Sequence, residues 1–471
     1  MNFNKILLYL LVLSFIFSCK KDVSVSDATT TTPTSNDVNN WIYESMNKYY
    51  LWSTNLPTIG KTNLSSDPMN YFTSILYDYG NTDRFSWIDS SSSNLINQLN
   101  GVNKILGVKL NSFLVDNSKP SGDIALVIAY VIKGSPAEKA GLKRGDIILT
   151  VDDQTINAKN YSTILQNTTL KLGLGTFANN TFSNNGINLN ITKVEIQINP
   201  ILIDTVINWS GKKVGYFSYT QFLTSFDDSL RAVFGRFKSK GINELVIDLR
   251  YNGGGYVSSS DLLTDLIVKD LGARVNNVMN KKIYNDTYTQ ALTKQSGNSA
   301  FVTNFQNEPN NISNLNRVFI LTSNNTASAS ELIINNLKPF MEVILVGEHT
   351  YGKNVGSFTI VDDKKRWNYG LQPITFKTVN SLGQSDYGTV NGFLPNYQVV
   401  DNVLPYKSLG DPYETFFNTA LNIIGPVAFQ TNSIIPSQKV VRKLIQSEAI
   451  SDNRNLDRHD MFDAPPAVPI K

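Results

Sequence analysis

Alternation of strand-like and helix-like segments between residues 201 and 425 is the feature that most limits the folds open to this 471-residue chain. Short apolar runs are typical of buried strands, and the segments between them carry apolar residues at helical spacing. Strands separated by helices predict a largely parallel sheet covered by helices. The predicted order is strand Lys213–Tyr219, helix Phe226–Lys240, strand Glu244–Leu249, helix Ser258–Val268, strand Arg317–Thr322, helix Ala329–Leu337 and strand Val343–Val346.

Two other stretches of the second half lack this pattern. Residues 275–312 are polar and rich in asparagine, which predicts an irregular excursion from the core. Residues 426–471 show little periodicity and end in a proline-containing run, which predicts a loose tail.

Residues 37–100 are predicted to form a small helical domain. Apolar residues at helical spacing predict helices over 38–50 and 68–77, the second with Asp67 as its cap and Pro68 at its first position. The aromatic-rich segment Asp83–Trp87 belongs to the same domain. We interpret it as packing core instead of a binding surface.

Residues 101–200 resemble a PDZ domain. The segment Gly134–Ile148 has small residues, two glycines and an aspartate at the offsets of the most recognisable PDZ stretch. By this resemblance Leu106, Gly107 and Val108 form the loop whose backbone N–H groups bind a peptide carboxylate while the peptide adds as a strand. The remaining predictions for this domain are strands Ile105–Leu110, Ile124–Val131 and Ile191–Ile198, a groove-lining helix over Asn160–Asn167, and an inserted loop over 171–187.

Composition argues against two classes of function. The net charge is +3 and no block of Lys or Arg stands out, so nothing indicates binding to nucleic acid. The chain has only two histidines, His349 and His459, and a single cysteine, Cys19. A catalytic zinc site usually needs more such ligands, so we expect no metal and no organic cofactor.

The amino terminus predicts an exported lipoprotein. Lys5 precedes an apolar run from Ile6 to Phe17, which is typical of a secretory signal peptide over residues 1–18 and too short for a transmembrane helix. The sequence Ile16–Cys19 resembles a bacterial lipobox, which implies cleavage before Cys19 and lipidation of that residue. Residues 19–36 are polar and predict a tether. An ordinary signal peptide with an incidental Cys19 is the alternative.

Ser328 and Lys353 are the candidate catalytic pair. Ser328 lies among small residues at the start of a predicted helix, and Lys353 follows 25 residues later in a loop containing Gly352. A serine hydroxyl needs a base to take its proton, and lysine serves when it is neutral. Burial beside apolar side chains lowers the pKa of an amine; Tyr351, Val355 and Phe358 are the expected wall. An ion pair between Lys353 and a carboxylate would argue against this role.

A glycine run supplies the second requirement of such chemistry, an oxyanion hole. Gly253, Gly254 and Gly255 directly follow a buried strand and allow the backbone to approach a substrate carbonyl. We expect the N–H of Gly253 or Gly254, together with that of Ala329, to form the hole at the carboxyl ends of the strands.

The order of these motifs closely resembles that of the carboxy-terminal processing peptidases and tail-specific proteases, family S41. The resemblance covers about residues 38–425 and implies a multidomain α/β protein. Its parts are a helical N-terminal domain, a β-rich PDZ-like domain and a crotonase-like α/β core over residues 201–425. It further implies a serine peptidase that cleaves C-terminal or unfolded segments of exported proteins, with Ser328 as nucleophile, Lys353 as general base and Glu331 ordering the site. Many members carry a glutamine where this chain has Ser357, which would take over the orientation of the lysine.

Several alternatives remain open. His349 is a possible base in a serine–histidine system, Ser330 competes with Ser328, and Asp248 with Glu348 could form a carboxylate pair. The whole chain could instead be a non-catalytic, peptide-binding lipoprotein with a decayed site, or a hydrolase of other esters. The protein is expected at the cell envelope, lipid-anchored and in the outer membrane, with protein or peptide partners. Its oligomeric state does not follow from the sequence.

Overall fold

A computed structural model of the protein describes residues 34–116, 122–161, 163–426 and 460–464. The predicted signal peptide, Cys19 and most of the predicted tether lie outside these ranges, as do most residues of the predicted tail. Within the ranges, none of the helices combines the length and the apolar character that a membrane crossing requires.

The N-terminal part is helical, as predicted, and is packed onto the core. Thr34 caps the first helix, and Asp67 caps the second with Pro68 at its first position, so both predicted starts are confirmed to within a few residues. Trp41, Ile42 and Met46 pack with Phe358 and Leu371 of the core. The elements are helices α1 (Ser35–Tyr49) and α2 (Pro68–Ser74), strand β1 (Trp87–Asp89) and helix α3 (Ser92–Leu99), with single 3₁₀ turns at Ser53–Asn55 and Ile59–Lys61.

A β-rich domain follows and contains one short helix. Its main sheet has the order β3-β4-β5-β7-β8 with β6 paired to β5, and β2 pairs with β9 separately. The elements are β2 (Val102–Ile105), β3 (Val108–Leu114), β4 (Ile124–Val131), α4 (Pro136–Lys139), β5 (Ile147–Val151), β6 (Gln154–Thr155), β7 (Thr169–Ala178), β8 (Thr181–Thr192) and β9 (Val194–Gln197).

Two predictions for this domain were wrong. The expected inserted loop over 171–187 is instead the hairpin of β7 and β8, closed by Asn179 and Asn180, both with positive φ. Asparagine tolerates that conformation and makes a tight hairpin turn, so asparagine content did not mark a long loop here. The described residues of the expected helix over 160–167 form successive turns.

The core confirms the predicted strand–helix alternation. One sheet has the order β10-β11-β12-β16-β17-β22, and all neighbouring pairs except β10–β11 are parallel. Helices α5, α6 and α8 cover one face and α9 covers the other, which explains why the central strands are apolar on both faces. The elements of the core, in chain order, are β10 (Ile201–Trp209), β11 (Lys212–Tyr219), α5 (Asp227–Lys240), β12 (Glu244–Asp248), β13 (Gly255–Tyr256), α6 (Val257–Ile267), β14 (Val278–Tyr284), α7 (Asp286–Ser296), β15 (Val302–Asn304), β16 (Arg317–Thr322), α8 (Ala329–Leu337), β17 (Glu342–Gly347), β18 (Val355–Phe358), β19 (Ile360–Val361), β20 (Gly370–Gln372), β21 (Ile374–Asn380), β22 (Tyr397–Gln398) and α9 (Thr415–Ile424). Strands β13–β15 and β18–β21 belong to further sheets.

The prediction of an irregular excursion over residues 275–312 was also wrong. Strands β14 and β15 and helix α7 lie there, and β14 pairs with β21 in a second sheet of order β13-β23-β18-β21-β14-β15. Strand β23 (Met461–Asp463) comes from the predicted loose tail. The short apolar pair Met461–Phe462 is too brief for sequence periodicity to identify, and only pairing with distant strands stabilises it.

Sheet topology explains why the predicted site residues converge. Strands β12, β16 and β17 are parallel neighbours. The glycine run follows β12, Ser328 follows β16 and Lys353 follows β17. Because parallel strands present their carboxyl ends at one edge, three segments far apart in sequence meet there.

Candidate active site

Ser328 occupies a strained turn at the start of α8. Its backbone has φ 64° and ψ −115°, a region that residues with a side chain rarely adopt. The side chain is fully buried, and its Oγ makes no hydrogen bond. A strained residue with an unbonded, buried hydroxyl is unusual in a folded protein and is typical of a functional position.

Glu331 joins the serine loop to the lysine loop. Its Oε2 accepts hydrogen bonds from the backbone N–H groups of Ser328 and Lys353, each at 2.8 Å. Its Oε1 accepts from the N–H of Gly352 at 2.7 Å and the hydroxyl of Thr350 at 2.5 Å. Burial raises the pKa of Glu331, while these donors act in the opposite direction. The carboxyl group of Glu331 therefore holds the serine loop and the lysine loop at a fixed spacing.

Lys353 is buried, with 1% of its surface exposed. Its Nζ lies 4.7 Å above the ring of Phe85 and 3.6 Å from Oδ1 of Asp460. The aromatic wall over the amine thus includes a residue of the N-terminal domain that the sequence argument had assigned to packing alone. The carboxylate contact is the kind that argued against a neutral base, although 3.6 Å is longer than a normal hydrogen bond.

The N-terminal domain also contacts the lysine loop directly. The guanidinium of Arg84 donates to the carbonyl of Gly352 at 2.9 Å and lies over the ring of Tyr351. Gly352 has φ 87°, and a Cβ there would collide with the carbonyl oxygen of Thr389, so only glycine fits this bend. The packing role predicted for Asp83–Trp87 therefore includes contacts of Arg84 and Phe85 with the lysine loop of the core.

The glycine run packs against the serine turn. A Cβ built on Gly254 would lie 2.8 Å from Cβ of Ser328 and 3.1 Å from the nitrogen of Ala329. Asn252 sets the shape of the run, since its side-chain oxygen accepts from the N–H of Gly254 at 2.8 Å and its carbonyl accepts from the N–H of Ala327 at 3.1 Å. The predicted residues Gly254 and Ala329 are thus close together.

The N–H groups of the glycine run differ in their hydrogen-bond partners. The N–H of Gly254 is already bonded to Asn252, whereas the N–H of Gly255 donates to the carbonyl of Asp460 at 2.5 Å. Gly253, Gly254 and Gly255 all line a cleft beside the site, together with Asp460.

Ser357 makes hydrogen bonds with partners other than the lysine. It lies in β18, where its hydroxyl donates to the carbonyl of Met461 at 3.4 Å and accepts from the side-chain amide of Gln372 at 2.9 Å. The expectation that Ser357 orients Lys353 is corrected for this reason. Gln372 was missed, since its strand lies 15 residues further along the chain and only sheet pairing brings it close.

The other candidates have structural partners. The hydroxyl of Ser330 donates to the carbonyl of Asn252 at 3.1 Å, and a ring nitrogen of His349 contacts the carbonyl of Thr350 at 2.8 Å. Asp248 forms a buried ion pair with Arg250 at 2.7 Å. Ser330 and Asp248 therefore support the glycine run, and the hydrogen bond of His349 goes to the backbone.

A buried polar network connects the β-rich domain to the core. Arg144 donates to the carbonyl of Ala129 at 2.6 Å and to the hydroxyl of Tyr251 at 2.9 Å. It also lies within 3.5 Å of Asp401 and Glu414, and Glu414 bonds Arg250 at 2.7 Å. The position of the β-rich domain is thus tied to the segment that leads into the glycine run.

The predicted carboxylate loop of the β-rich domain is a tight turn. Gly107 has φ 93°, and its carbonyl accepts from the N–H of Ile132 at 2.9 Å. The carbonyl of Leu106 accepts from the N–H of Ala137 at 3.0 Å, and the side chains of Leu106 and Val108 are buried. Peptide binding by this loop stays a prediction.

Family comparisons agree with the motif order. The family model of peptidase family S41 matches residues 213–380. The model of the peptidase S41 N-terminal domain matches residues 37–87, and the model of the PDZ domain matches residues 127–172. The three matches cover the core, the helical part and the β-rich part in turn.

Similar proteins are carboxyl-terminal processing proteases. The chain is 25% identical over 298 residues to the chloroplastic C-terminal processing peptidase of Tetradesmus obliquus. The aligned region covers 59% of this chain and 58% of that protein. It is 23% identical over 331 residues to the carboxyl-terminal-processing protease of Synechocystis, covering 68% and 70%. A crystal structure described as an S41 protease from Bacteroides fragilis superposes with a TM-score of 0.67 at 28% identity, covering 82% of this chain and 96% of that one.

Proposed function

Since the chain belongs to peptidase family S41, we propose that it is a serine endopeptidase in which Ser328 is the nucleophile and Lys353 the general base. The observation that carries this proposal is the shared carboxyl group of Glu331, which bonds the backbone of both residues. It keeps the hydroxyl and amine loops in a fixed relation, as a two-residue catalytic unit requires.

The chemistry follows from the groups around Ser328. In the working enzyme, the neutral amine of Lys353 takes the hydroxyl proton as Oγ attacks the substrate carbonyl. The N–H groups of Gly255 and Ala329 are the proposed donors to the oxyanion, with Gly253 lining the cleft beside them. The ammonium of Lys353 then protonates the leaving amine, and water releases the acyl group from Ser328 by the same proton transfers in reverse.

Substrates are proposed to be C-terminal or unfolded segments of exported proteins. A narrow cleft with backbone donors suits an extended chain better than a folded surface. The β-rich domain, over about residues 101–200, would recruit such chains through the loop of Leu106, Gly107 and Val108. No metal or organic cofactor is part of this proposal.

Location at the cell envelope is proposed from the amino-terminal sequence. Lipidation of Cys19 after signal cleavage would anchor the protein in the outer membrane, leaving residues 34–426 to fold outside the bilayer. Incorporation of labelled palmitate into the wild-type protein, and its loss in Cys19→Ser, is the expected result. Equal labelling of both would contradict the anchor.

Turnover of casein by the full chain, purified in detergent, tests the catalytic proposal. Ser328→Ala and Lys353→Ala should each lower the rate at least ~10³-fold, since each removes a group acting in the transition state. Ser90→Ala and Lys364→Ala make the same chemical changes at exposed positions and should keep the wild-type rate. Wild-type turnover in either active-site variant would refute the dyad.

One observation favours the non-catalytic alternative, namely the 3.6 Å approach of Lys353 to Asp460. If that pair were permanent, the chain would bind peptides without cleaving them. Absence of casein turnover by the wild-type chain under all conditions, with peptide binding retained, would support this alternative. Comparison of peptide with simple ester substrates would address the hydrolase of other esters.

A further inference from the structure

Residues 460–464 lie across the candidate active site. Strand β23 runs parallel to β13, with Met461 opposite Gly255, and parallel to β18, with Phe462 opposite Ser357. It thereby fills a gap between the strand that leaves the glycine run and the strand that follows the lysine loop. A strand inserted between two edges satisfies backbone groups on both sides, which is how extended peptides commonly bind.

The side chains of the segment fit pockets of matching character. Met461 is fully buried against Val257, Leu332 and Phe376. Phe462 is 2% exposed and stacks edge-on against Tyr256 with ring centres 4.3 Å apart.

The ends of the segment carry charges that are matched as well. Asp463 forms an ion pair with Lys282, and Asp460 lies 3.6 Å from Lys353. The slot therefore selects an acidic residue, an apolar residue and an aromatic residue in that order, followed by a second acid.

The main chain of Asp460 meets the proposed reactive groups. Its carbonyl accepts from the N–H of Gly255 at 2.5 Å, the donor assigned to the oxyanion hole. A Cβ on Gly254 would collide with the same oxygen while lying 2.8 Å from Cβ of Ser328. A carbonyl bonded to this N–H, with a carboxylate oxygen 3.6 Å from the amine of Lys353, takes the place of a substrate carbonyl.

We propose that the slot between β13 and β18 is the site for an extended substrate peptide, and that residues 460–464 are a ligand supplied by the chain itself. The chain rests with its own segment bound, and a substrate of acidic–apolar–aromatic order competes for the slot. The blocking effect rests on the proposed peptidase function, whereas occupancy of the slot is a statement about binding alone. The apparent affinity for an added peptide equals the affinity of the free slot multiplied by the fraction of molecules whose slot is free.

A binding measurement tests occupancy without catalysis. The probe is a fluorescein-labelled octapeptide, Arg-His-Asp-Met-Phe-Ala-Ala-Pro, which copies residues 458–465 with alanine in place of Asp463. In the Ser328→Ala chain, adding Met461→Asp with Phe462→Asp should tighten probe binding at least tenfold. Leu382→Asp with Val390→Asp, at positions 67% and 70% exposed, is the matched control and should leave binding unchanged. Binding no tighter than in the Ser328→Ala parent would overturn the proposal.

A milder variant covers the case in which the double substitution unfolds the protein. Lys282→Glu in the Ser328→Ala chain removes one anchor of the segment and should tighten probe binding about threefold. Adding Asp463→Lys restores the opposite charges and should return the affinity to that of the parent. No gain with Lys282→Glu, or no reversal on adding Asp463→Lys, would contradict the assignment.

Casein turnover separates the two proposals. In the chain that keeps Ser328, Met461→Asp with Phe462→Asp should raise the rate about tenfold. Tighter probe binding without turnover in any variant would uphold the slot and its ligand while refuting the peptidase. If the Met461→Asp, Phe462→Asp variant cleaves casein at the wild-type rate and these substitutions do not tighten probe binding, the peptidase proposal is upheld. Strand β23 is then a permanent strand of the sheet, and this inference is overturned.

Discussion

The backbone N–H groups of Ser328 and Lys353 donate to the same carboxylate oxygen of Glu331, each at 2.8 Å. The proposed nucleophile and the proposed base are therefore held together through their main chains, independently of any contact between their side-chain tips. Because Glu331 is fully buried at the start of α8, its position is set by the packing of that helix. The geometry of the site thus depends on one buried acid.

Glu331→Gln should be nearly as damaging as Glu331→Ala. All four groups that bond Glu331 are donors, and an amide nitrogen in place of one oxygen cannot accept from two of them. We expect the free energy of unfolding to fall by ~2–4 kcal/mol, because buried donors lose their acceptor, and casein turnover to drop by at least ~10²-fold. Urea unfolding and the casein assay measure both, with the exposed Glu342→Gln as control. Full activity in Glu331→Gln would contradict the bridging role.

Gly352→Ala should separate backbone strain from steric collision when compared with Gly241→Ala. Both glycines have positive φ, 87° and 65°, but only the Cβ at Gly352 would meet a neighbouring carbonyl, that of Thr389. Gly241→Ala is expected to cost ~1 kcal/mol from φ alone, and Gly352→Ala ~3 kcal/mol or more because the lysine loop must move. Urea unfolding measures the difference. Equal costs would mean that the loop relaxes freely.

Asp265 makes the stability of the core depend on pH. Burial raises the pKa of Asp265 from 3.8 to about 8, and that of its neighbour Asp261 to about 7. Above pH 4 the unfolded chain loses a proton that the folded chain keeps, so the free energy of unfolding falls as pH rises from about 4 to about 8.

Replacing these acids should flatten that dependence. Asp265→Asn removes one titrating group, so its curve should fall less than that of the wild type, by ~5 kcal/mol between pH 4 and pH 8. Asp261→Asn should flatten the curve between about pH 4 and pH 7 and leave it parallel to that of the wild type above pH 7. Urea unfolding at a series of pH values tests both. An Asp265→Asn curve parallel to that of the wild type would contradict the assignment.

Arg144→Ala should destabilise the protein much more than Arg236→Ala. The side chain of Arg144 is 7% exposed and lies near Asp401 and Glu414, whereas that of Arg236 is 49% exposed and pairs with Asp204 at 2.8 Å. Breaking a buried ion pair costs ~3 kcal/mol or more, while an exposed pair contributes ~0.5 kcal/mol. Thermal and urea unfolding measure the two losses. Similar values would show that the network is not energetically important.

Much of the core was predictable from local pattern. Phe226–Lys240, 258–268 and 329–337 were identified as helices because their apolar residues recur at the period of a helix. The hairpin at Asn179 and the strands within 275–312 were not, since polar composition masked segments that pairing with other strands stabilises. Strand propensity depends on neighbours that the local sequence does not specify.

The sequence by itself determined the candidate residues Ser328, Lys353 and Glu331, the glycine run, and the alternation of strands and helices that predicts a parallel sheet. Only the tertiary structure decided that the N–H of Gly255 bonds Asp460, that Phe85 covers the amine, and that Ser357 bonds Gln372. The physical reason is the sequence separation between the residues that interact. Turn formation and periodicity are properties of a few consecutive residues, whereas hydrogen-bond partners across a sheet depend on segments hundreds of positions apart.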